Sequence, residues 1–302
     1  MIRSQRTIKH PISSEGSGLH SGNAVKMTLK PAPANTGVVF IRTDLGNAKI
    51  KALSANTAAT SYATTLSQDN VSVKTVEHLL SAFAGLNIDN IYIELDAEEV
   101  PIMDGSARPF VRLIADAGIQ PLDALQPVLK VIHPIFVRDG NKQIAIWPSE
   151  STSISYFIDF NHPMLKEQSL QYQPSEEEYL REISNARTFG FLSDVKMLQA
   201  NGLARGASLD NAVALDDDVV LNADGLRYSD EFVRHKILDL IGDLLLVGMP
   251  VIGHIVAQKS GHGLNARMVG KLLASPQSWI SVSSMKDMPV QHQDTRFRQT
   301  TI

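Results

Sequence analysis

Two segments of this chain repeat one helical pattern: TVEHLLSAFAGL at residues 75–86 and FVRHKILDLIGD at residues 232–243. In each, a Val stands two residues before a His and a Gly stands seven residues after it, and a strand-like run follows, NIYIELD or PVIGHIVA. Matches at so few positions also arise by chance. If the repeat is real, the chain folds as two duplicated domains, each of which presents one histidine from an equivalent helix.

Hydrophobic periodicity predicts an α+β fold with two domains. Alternating or β-branched runs indicate strands at residues 24–32, 36–45, 90–96, 128–139, 142–149 and 152–160. Helical patterns, several opened by Ser, Thr or Asp and closed by Gly, lie at residues 75–86, 107–118, 175–183, 193–202 and 230–248. The stretch GIQPLDALQP predicts a linker loop near residues 119–127. We therefore expect a first domain at residues 1–122, a second at residues 123–302, and a polar, poorly ordered tail at about 285–302.

Composition excludes several classes of protein. The formal net charge of −4 offers no basic surface to a phosphate backbone, so a general nucleic-acid binder is not expected. The chain has no cysteine, so a metal site would have to use His, Asp and Glu. The first residues lack the apolar core of a secretory signal, and the most apolar stretch, residues 244–257, is interrupted by Pro250 and His254. We expect a cytoplasmic protein with no stable membrane insertion.

His235 and Asp239 stand four residues apart in the second helical segment, which places both side chains on one face of a helix. With His78 from the first segment they would make two imidazoles and one carboxylate, a ligand set of catalytic zinc that leaves a fourth position for water. Glu77, beside His78, would then accept a proton from that water. A structural His on an apolar helix and a surface ion pair at i, i+4 are the alternatives, and spacing alone does not decide.

Two further histidines lie among glycines: His20 in GSGLHSG and His262 in KSGHGLN. These surroundings predict flexible loops, where functional residues are common. Taken alone, each histidine is better explained as a turn residue.

Five strings occur in order along the chain: TVEHLLSAF, PIMDGSARPF, ARTFGF, EFVRHKILDLIGDL and KSGHGLN. In this order and at these intervals they closely resemble the zinc-dependent UDP-3-O-acyl-N-acetylglucosamine deacetylase family of lipid A biosynthesis. The resemblance runs from TIKHPISSEGSGLHSG to SGHGLN, which is nearly the whole chain. It implies two similar α+β domains, each a β-sheet layered against two α-helices, with the active site at their junction. It also implies hydrolysis of the N-acetyl group of a UDP-linked, 3-O-acylated glucosamine, which releases acetate.

The same resemblance implies roles for individual residues. His78, His235 and Asp239 would be the Zn2+ ligands, Glu77 the general base, and His262 the general acid or electrostatic partner. Thr188 in ARTFGF would offer a hydroxyl to the tetrahedral oxyanion. Asp243 would hold His262 in its protonated form, although a carboxylate on that helix face needs no catalytic role.

A further set of residues is implied in binding the substrate. The cations expected along the path of the UDP group are Lys236, Lys142, Lys259 and His20. Phe160 is the candidate contact for the uracil ring and Phe189 is a second aromatic candidate for the substrate, although a Phe on a strand is also an ordinary core residue.

The segment at about residues 190–218 falls where the family inserts a structure that forms a passage for the acyl chain. Apolar or small residues there suit such a passage: Leu192, Val195, Leu198, Leu203, Ala207, Ser208 and Val213. Ordinary packing of a short helix explains the same residues. Arg205 departs from an apolar lining, so either its charged head turns to solvent or the passage differs. The preferred acyl length therefore cannot be read from these residues.

The string PIMDGSARPF predicts a turn at Asp104, Gly105 and Ser106 followed by a helix near Pro109. A structural role for this turn is preferred to direct catalysis by Asp104.

We expect a monomer that acts on a small-molecule substrate with zinc as its cofactor. Two other functions remain open. One is a zinc amidohydrolase acting on another acylated amino sugar, and the other is a lipid- or nucleotide-sugar-binding protein that keeps the fold without turnover.

Overall fold

The computed structural model describes residues 2–283, and that range contains six α-helices. They are α1 (Glu77–Gly85), α2 (Arg108–Ala117), α3 (Glu176–Glu178, continued by a π-helical turn, Tyr179–Ile183), α4 (Leu192–Ala200), α5 (Glu231–Leu245) and α6 (His262–Leu273). The first five lie where periodicity predicts helices. Periodicity does not predict α6, because Gly261, Gly263 and Gly270 interrupt its apolar pattern.

Twenty strands accompany these helices in the described range and include every run predicted as a strand. In chain order they are β1 (Ser4–Ile8), β2 (Ile12–Ser17), β3 (Ala24–Pro31), β4 (Val38–Arg42), β5 (Ala48–Lys51), β6 (Thr57–Ala59), β7 (Thr65–Gln68), β8 (Val71–Val73), β9 (Ile91–Leu95), β10 (Ile119–Leu125), β11 (Val128–Val131), β12 (Ile135–Asp139), β13 (Lys142–Trp147), β14 (Ser153–Ile158), β15 (Gln168–Tyr172), β16 (Phe189–Phe191), β17 (Val213–Leu215), β18 (Val251–Ile252), β19 (His254–Gln258) and β20 (Trp279–Val282).

The two largest sheets repeat one topology. The first has the strand order β2-β3-β9-β4-β5 and the second the order β12-β13-β19-β14-β15. In both, the third and fourth strands of that order are parallel, and every other neighbouring pair is antiparallel. α1 and α2 flank β9 in sequence as α5 and α6 flank β19. The two-domain α+β fold is thereby confirmed, and the repeat of the two histidine helices reflects a duplicated architecture.

Helices cover one face of each large sheet. α2 packs on β2, α6 on β12 and β13, and α5 on β14 and β15. Large side chains such as Phe40, Phe83 and Tyr156 are fully buried in the core. Burial of an apolar side chain of this size stabilises the fold by roughly 1.5–3 kcal/mol. These layers fix the helices that carry the site.

The two halves of the chain meet where α1 packs along α5. Gly242 of α5 permits the close approach, because a Cβ atom at this position would lie 2.1 Å from the backbone oxygen of Glu77. A Cβ atom at Gly85, the residue of α1 equivalent to Gly242 in the repeat, would lie 2.2 Å from the ring of Tyr179. The first residues of α1 are thus held directly against α5.

Gly242→Ala is expected to lower the free energy of unfolding by about 1–3 kcal/mol, because the added methyl group must push α1 and α5 apart. Chemical denaturation of the variant and the parent protein measures the difference. Gly270→Ala in α6 is the matched control, since a Cβ there meets no atom within 4 Å. It should be neutral or stabilising, because Ala favours a helix over Gly by about 1 kcal/mol. Equal losses at both positions would contradict the role of Gly242.

The stretch predicted as a linker loop near residues 119–127 is instead largely a strand. β10 pairs antiparallel with β1, in a two-stranded sheet. Pro121 is tolerated there because each strand of such a sheet has a free edge, so a missing N–H need not break a ladder. Residue 122, the predicted domain boundary, lies inside β10, and the division of the chain at that residue stays a prediction.

The run predicted as one strand at residues 128–139 is two strands in different sheets, β11 and β12. Pro134 stands between them, and its missing N–H and fixed φ favour the break. The polar tail predicted at about 285–302 lies outside the described residues. Within residues 2–283, no helix has the length and apolar character needed to cross a membrane.

Candidate active site

Three side chains from two helices converge where the halves of the chain meet: His78 from α1, and His235 and Asp239 from α5. Their candidate ligand atoms lie within 4.8 Å of one another, and all three side chains are buried. Asp239 Oδ1 is 3.5 Å from His78 Nε2 and 3.3 Å from His235 Nε2. The structure therefore brings together the three residues that the sequence predicts as one ligand set.

The protonation states of His235 and Asp239, both on α5, suit a bound cation. His235 Nδ1–H donates to the carbonyl oxygen of Ala186 at 3.1 Å, which leaves the Nε2 lone pair directed at Asp239. Desolvation lowers the pKa of His235 to about 3. Desolvation acts to raise the pKa of Asp239, but the neighbouring His235, Lys236 and His262 outweigh it and hold that pKa well below its usual range. Neutral imidazole and ionised carboxylate are the forms that metals bind.

Asp239 Oδ1 gives the clearest indication of a metal. This buried oxygen accepts no hydrogen bond from any residue in the range 2–283, although two imidazole nitrogens face it. A buried carboxylate oxygen without a donor or cation is costly. A cation among His78, His235 and Asp239 would compensate the charge, so these residues fit a metal ion.

Glu77 is the first residue of α1 and lies beside this cluster. Its buried carboxylate accepts the backbone N–H of Thr64 on Oε2 at 3.0 Å, and its Oε1 is 3.7 Å from His262 Nε2. Desolvation raises the pKa of Glu77 above its ordinary value. A carboxylate of raised pKa is a more effective proton acceptor near neutral pH.

His262 is the first residue of α6 rather than part of a flexible loop, so its ring is fixed by a helix. Its Nδ1–H donates to Asp243 Oδ2 at 2.9 Å, while its Nε2 faces Glu77 and lies 3.9 Å from Asp239 Oδ2. Desolvation acts to lower the pKa of His262, but the charges of Asp243, Glu77 and Asp239 outweigh it and raise the pKa to about 10. The arrangement favours an imidazolium with one N–H held by Asp243 and the other directed into the site.

In the metal-free protein, the imidazolium of His262 is expected to lose its proton near pH 10 rather than near pH 6.5. Because the folded-state pKa is raised, this ion pair contributes stability that is complete below pH 6.5 and is lost as pH rises through about 10. NMR titration measures the pKa, with His262→Gln identifying the signal. Asp243→Asn should lower the titration midpoint by more than about one unit. An unchanged midpoint in that variant would show that Asp243 does not hold the proton.

Sequence reasoning misses two residues that donate hydrogen bonds to Asp243, the partner of His262. Thr64 donates its hydroxyl to Asp243 Oδ1 at 2.6 Å, and Asn265 donates its amide to Asp243 Oδ2 at 2.9 Å. Asn265 stands one helical turn after His262, so recognition of α6 would have indicated it. No local pattern points to Thr64, because its partners are distant in sequence.

Sequence reasoning also misses a buried ion pair next to Ala186, the residue whose carbonyl oxygen accepts from His235. Arg187 pairs with Glu231 through two contacts, Nε–Oε1 at 2.9 Å and Nη2–Oε2 at 3.2 Å, and both side chains are almost fully buried. Glu231 begins α5, and Arg187 follows Ala186, whose carbonyl orients His235. The pair therefore ties the support of one candidate ligand to the helix that carries it.

The predicted cations of the UDP path occupy different environments. Lys236 Nζ lies 2.8 Å from Asp239 Oδ2, and Lys259 pairs with Asp159 at 2.7 Å. Lys142 is exposed and lines, with His262, a cavity of about 770 Å³ beside the site. His20 is buried, and desolvation lowers its pKa, which argues against its predicted role as a cation.

Of the two predicted aromatic residues, Phe189 lies next to the metal cluster and Phe160 packs against Phe189. Phe160 and Phe189 meet edge to face with centroids 5.8 Å apart, and the Phe189 ring is 6.3 Å from that of His235. Thr188 precedes Phe189. Its backbone N–H donates to Gly105 and its carbonyl accepts from Val213. These contacts fix the position of ARTFGF, and the role of the Thr188 hydroxyl stays a prediction.

Many apolar side chains of the predicted acyl-passage segment are exposed or half-buried rather than packed in the core. α4 has no buried residue, and Leu192 is exposed. Leu198, Leu203 and Ala207 are half-buried, while Ser208 is exposed. Val213 instead lies fully buried in β17, where it packs in the core rather than facing an open passage. Arg205 is exposed, so its charged head reaches solvent as one of the two alternatives requires.

The turn at Asp104 has the contacts of a structural element. Asp104 Oδ1 accepts two hydrogen bonds from Ser106, one from the backbone N–H at 3.0 Å and one from the Ser106 hydroxyl at 2.7 Å. Asp104 Oδ2 pairs with Arg227 at 2.9 Å. Gly105 has a φ of +80°, and a Cβ there would lie 2.0 Å from the carbonyl oxygen of Asn211. These contacts agree with the structural role preferred for this string.

Comparison with known proteins gives consistent matches across the chain. Residues 5–274 match the model of the LpxC family, described as UDP-3-O-acyl N-acetylglycosamine deacetylase. A relative from Myxococcus xanthus is 50% identical over 283 residues, which cover 93% of this chain and 90% of the relative. A relative from Pseudomonas entomophila is 50% identical over 92% of this chain and 93% of its own length. A third relative, from Syntrophus aciditrophicus, is 46% identical over 97% of this chain and 93% of its own length. All three are named UDP-3-O-acyl-N-acetylglucosamine deacetylase.

Proposed function

Because this chain belongs to the LpxC family of UDP-3-O-acyl N-acetylglycosamine deacetylases, we propose that it removes the N-acetyl group of UDP-3-O-acyl-N-acetylglucosamine, a step of lipid A biosynthesis. The observation that carries the proposal is the buried cluster of His78, His235 and Asp239 with Glu77 and His262 beside it. Two imidazoles and one carboxylate favour zinc among the common catalytic metals.

Zinc held by His78, His235 and Asp239 would acidify a water molecule and polarise the amide carbonyl of the substrate. Glu77 accepts a proton from the attacking water, and its place at the start of α1 keeps the carboxylate beside the cluster. The backbone N–H of Thr64 fixes one of its oxygens, so the other is directed toward His262.

His262 stabilises the oxyanion and protonates the leaving nitrogen. As an imidazolium it offers its Nε2–H to the oxyanion that forms when water adds to the amide carbon, with the Thr188 hydroxyl as a second donor. It then gives that proton to the nitrogen as the C–N bond breaks, which yields acetate and an amine. Asp243 holds the Nδ1–H throughout and keeps the ring oriented.

The substrate would approach through the cavity that Lys142 lines, with its nucleotide near the cations and its acyl chain toward the segment at about residues 190–218. Lys236, Lys142 and Lys259 are the candidates for the diphosphate, and Phe160 and Phe189 for the uracil or sugar. A UDP-linked substrate favours a cytoplasmic enzyme. We further propose that it acts as a monomer, which sedimentation tests.

The direct test is acetate release by the purified protein loaded with one equivalent of zinc. UDP-3-O-acyl-N-acetylglucosamine should yield acetate and a free amine in equal amounts, and excess UDP should inhibit. The same sugar without UDP should be a much poorer substrate. Absence of inhibition by UDP would favour an amidohydrolase of another acylated amino sugar. Failure to release acetate from the zinc-loaded protein would overturn the proposal.

A further inference from the structure

Glu99 is a buried carboxylate that the proposed reaction does not use. Its Oε1 accepts the backbone N–H of His20 at 2.9 Å and the hydroxyl of Thr75 at 2.8 Å, and its Oε2 accepts the backbone N–H of Ser21 at 2.8 Å. Desolvation acts to raise the pKa of Glu99, but hydrogen bonds from the Ser21 hydroxyl, from the backbone N–H groups of His20 and Ser21 and from Thr75 outweigh it and lower the pKa. Glu99 therefore joins, as an anion, the loop at residues 18–22 to the segment that precedes α1.

Thr75 has a backbone conformation that is rare for its type. Its φ is +57°, in the left-handed region that β-branched residues seldom enter. It is also buried, and it lies two residues before Glu77 and three before His78. A residue persists in such a conformation only when its surroundings impose it, and such residues cluster at functional sites. The bond from its hydroxyl to Glu99 is one contact that holds Thr75 in place.

The loop at residues 18–22 is held in turn by the proposed acyl-passage segment. Gly206 N–H donates to the carbonyl of Leu19 at 3.0 Å, and Arg205 N–H donates to the carbonyl of His20 at 3.2 Å. The packing leaves no room for side chains, because a Cβ at Gly206 would lie 2.2 Å from the carbonyl oxygen of Gly18. A Cβ at Gly18 would lie equally close to Glu99 Oε2. Contacts thus run without a gap from residues 205–206 to Glu99 and Thr75.

We propose that Glu99 is a positioning residue that couples the acyl-passage segment to Glu77 and His78. An acyl chain that orders residues 204–206 would fix the loop at residues 18–22, and Glu99 would pass this restraint to Thr75 and the start of α1. Binding energy from a remote part of a substrate increases the rate only if it acts at the reacting centre. This inference rests on the proposed function for the identity of the acylated substrate.

The first test compares Glu99→Gln with Asp89→Asn. Asp89 is a matched control because it too accepts a backbone N–H, that of Arg6, and pairs with a side chain, that of Arg3, away from the site. With a long 3-O-acyl substrate, Glu99→Gln should lower kcat by about 10- to 100-fold at unchanged zinc content, because small misplacements of a catalytic group cost about this much. With a short 3-O-acyl substrate the loss should be about threefold or less, and Asp89→Asn should match the parent protein with both. An equal loss on both substrates, or none, overturns the coupling.

Thr75 supplies a second comparison. Thr75→Ser keeps the hydroxyl and should retain most of the long-chain rate, whereas Thr75→Val keeps the shape and should behave like Glu99→Gln. Equal rates for the two variants would show that the bond to Glu99 has no positioning role.

A readout without turnover separates this inference from the proposed function. The visible absorption of the cobalt(II)-loaded protein reports the geometry of its ligands. Addition of a long-chain fatty acid, as a probe of the passage, should shift the bands of the parent protein and of Asp89→Asn but not those of Glu99→Gln, because only Glu99 passes the restraint to His78. An equal shift in Glu99→Gln, or no shift in the parent protein, overturns the inference. Failure of the parent protein to release acetate from either substrate would overturn the proposed function, and the cobalt spectra would still decide the role of Glu99.

Discussion

His235→Ala is expected to purify with little or no zinc and to lose its activity. The substitution removes one of three candidate ligands and leaves His78 and Asp239 with an incomplete set. Changes to residues that merely support a ligand typically cost about 10- to 100-fold in metal affinity, so loss of the ligand itself should cost more than about 100-fold. Zinc per chain after dialysis against a weak chelator, and acetate release under the same conditions, measure the two effects.

His133→Ala is the matched control for this experiment. His133 is exposed in the segment between β11 and β12, so its removal should change neither zinc content nor rate. Denaturation curves for both variants show whether the protein remains folded. Stoichiometric zinc in His235→Ala would remove that residue from the ligand set and with it the proposed mechanism.

Glu77→Gln is expected to keep its zinc and to lose catalysis. The amide oxygen of Gln can still accept the N–H of Thr64, so the start of α1 should keep its position, but the side chain can no longer take a proton. General bases typically contribute about 10²- to 10⁴-fold, and kcat should fall by that factor. Because burial makes the charged form of Glu77 costly, the variant should be at least as stable as the parent protein.

Zinc content distinguishes the two substitutions. Loss of zinc in Glu77→Gln would make Glu77 a ligand rather than a base. Full activity with full zinc would require another proton acceptor, and His262 would then be the residue to test, since its Nε2 faces the same space.

Within the metal cluster, the pairing of His235 with Asp239 is what sequence predicts best, because the two residues are close in sequence. His235 and Asp239 share a face of one helix, and spacing alone places them together. The partner from α1 needed more than spacing. The repeat makes His78 and His235 equivalent only if it is real, and the family resemblance implies that both bind one metal.

Residues that act through tertiary contacts could not be found in this way. Thr64 bonds to Glu77 and Asp243 only because β7 and its preceding turn fold back beside α1 and α5. Glycines that suit a loop as well as a helix obscure the start of α6, so the prediction of a flexible loop at His262 is wrong. Arg187 and Glu231 form a pair that no periodicity reports, because both are charged residues in a buried place.

The duplicated helices have a consequence for the direction of the chemistry. Equivalent positions face each other across the junction, and the rings of His78 and His235 lie 4.9 Å apart in an edge-to-face pair. The residue before each histidine breaks this likeness: Glu77 faces the metal cluster, whereas Arg234 pairs with Asp230 and Glu182. Asp239, the carboxylate of the cluster, stands on α5 where the equivalent residue of α1 is Ala82. α5 thus gives the cluster two of its three candidate ligands, while α1 gives one and places Glu77 beside it. In the proposed mechanism, water would therefore attack the amide from the side of α1.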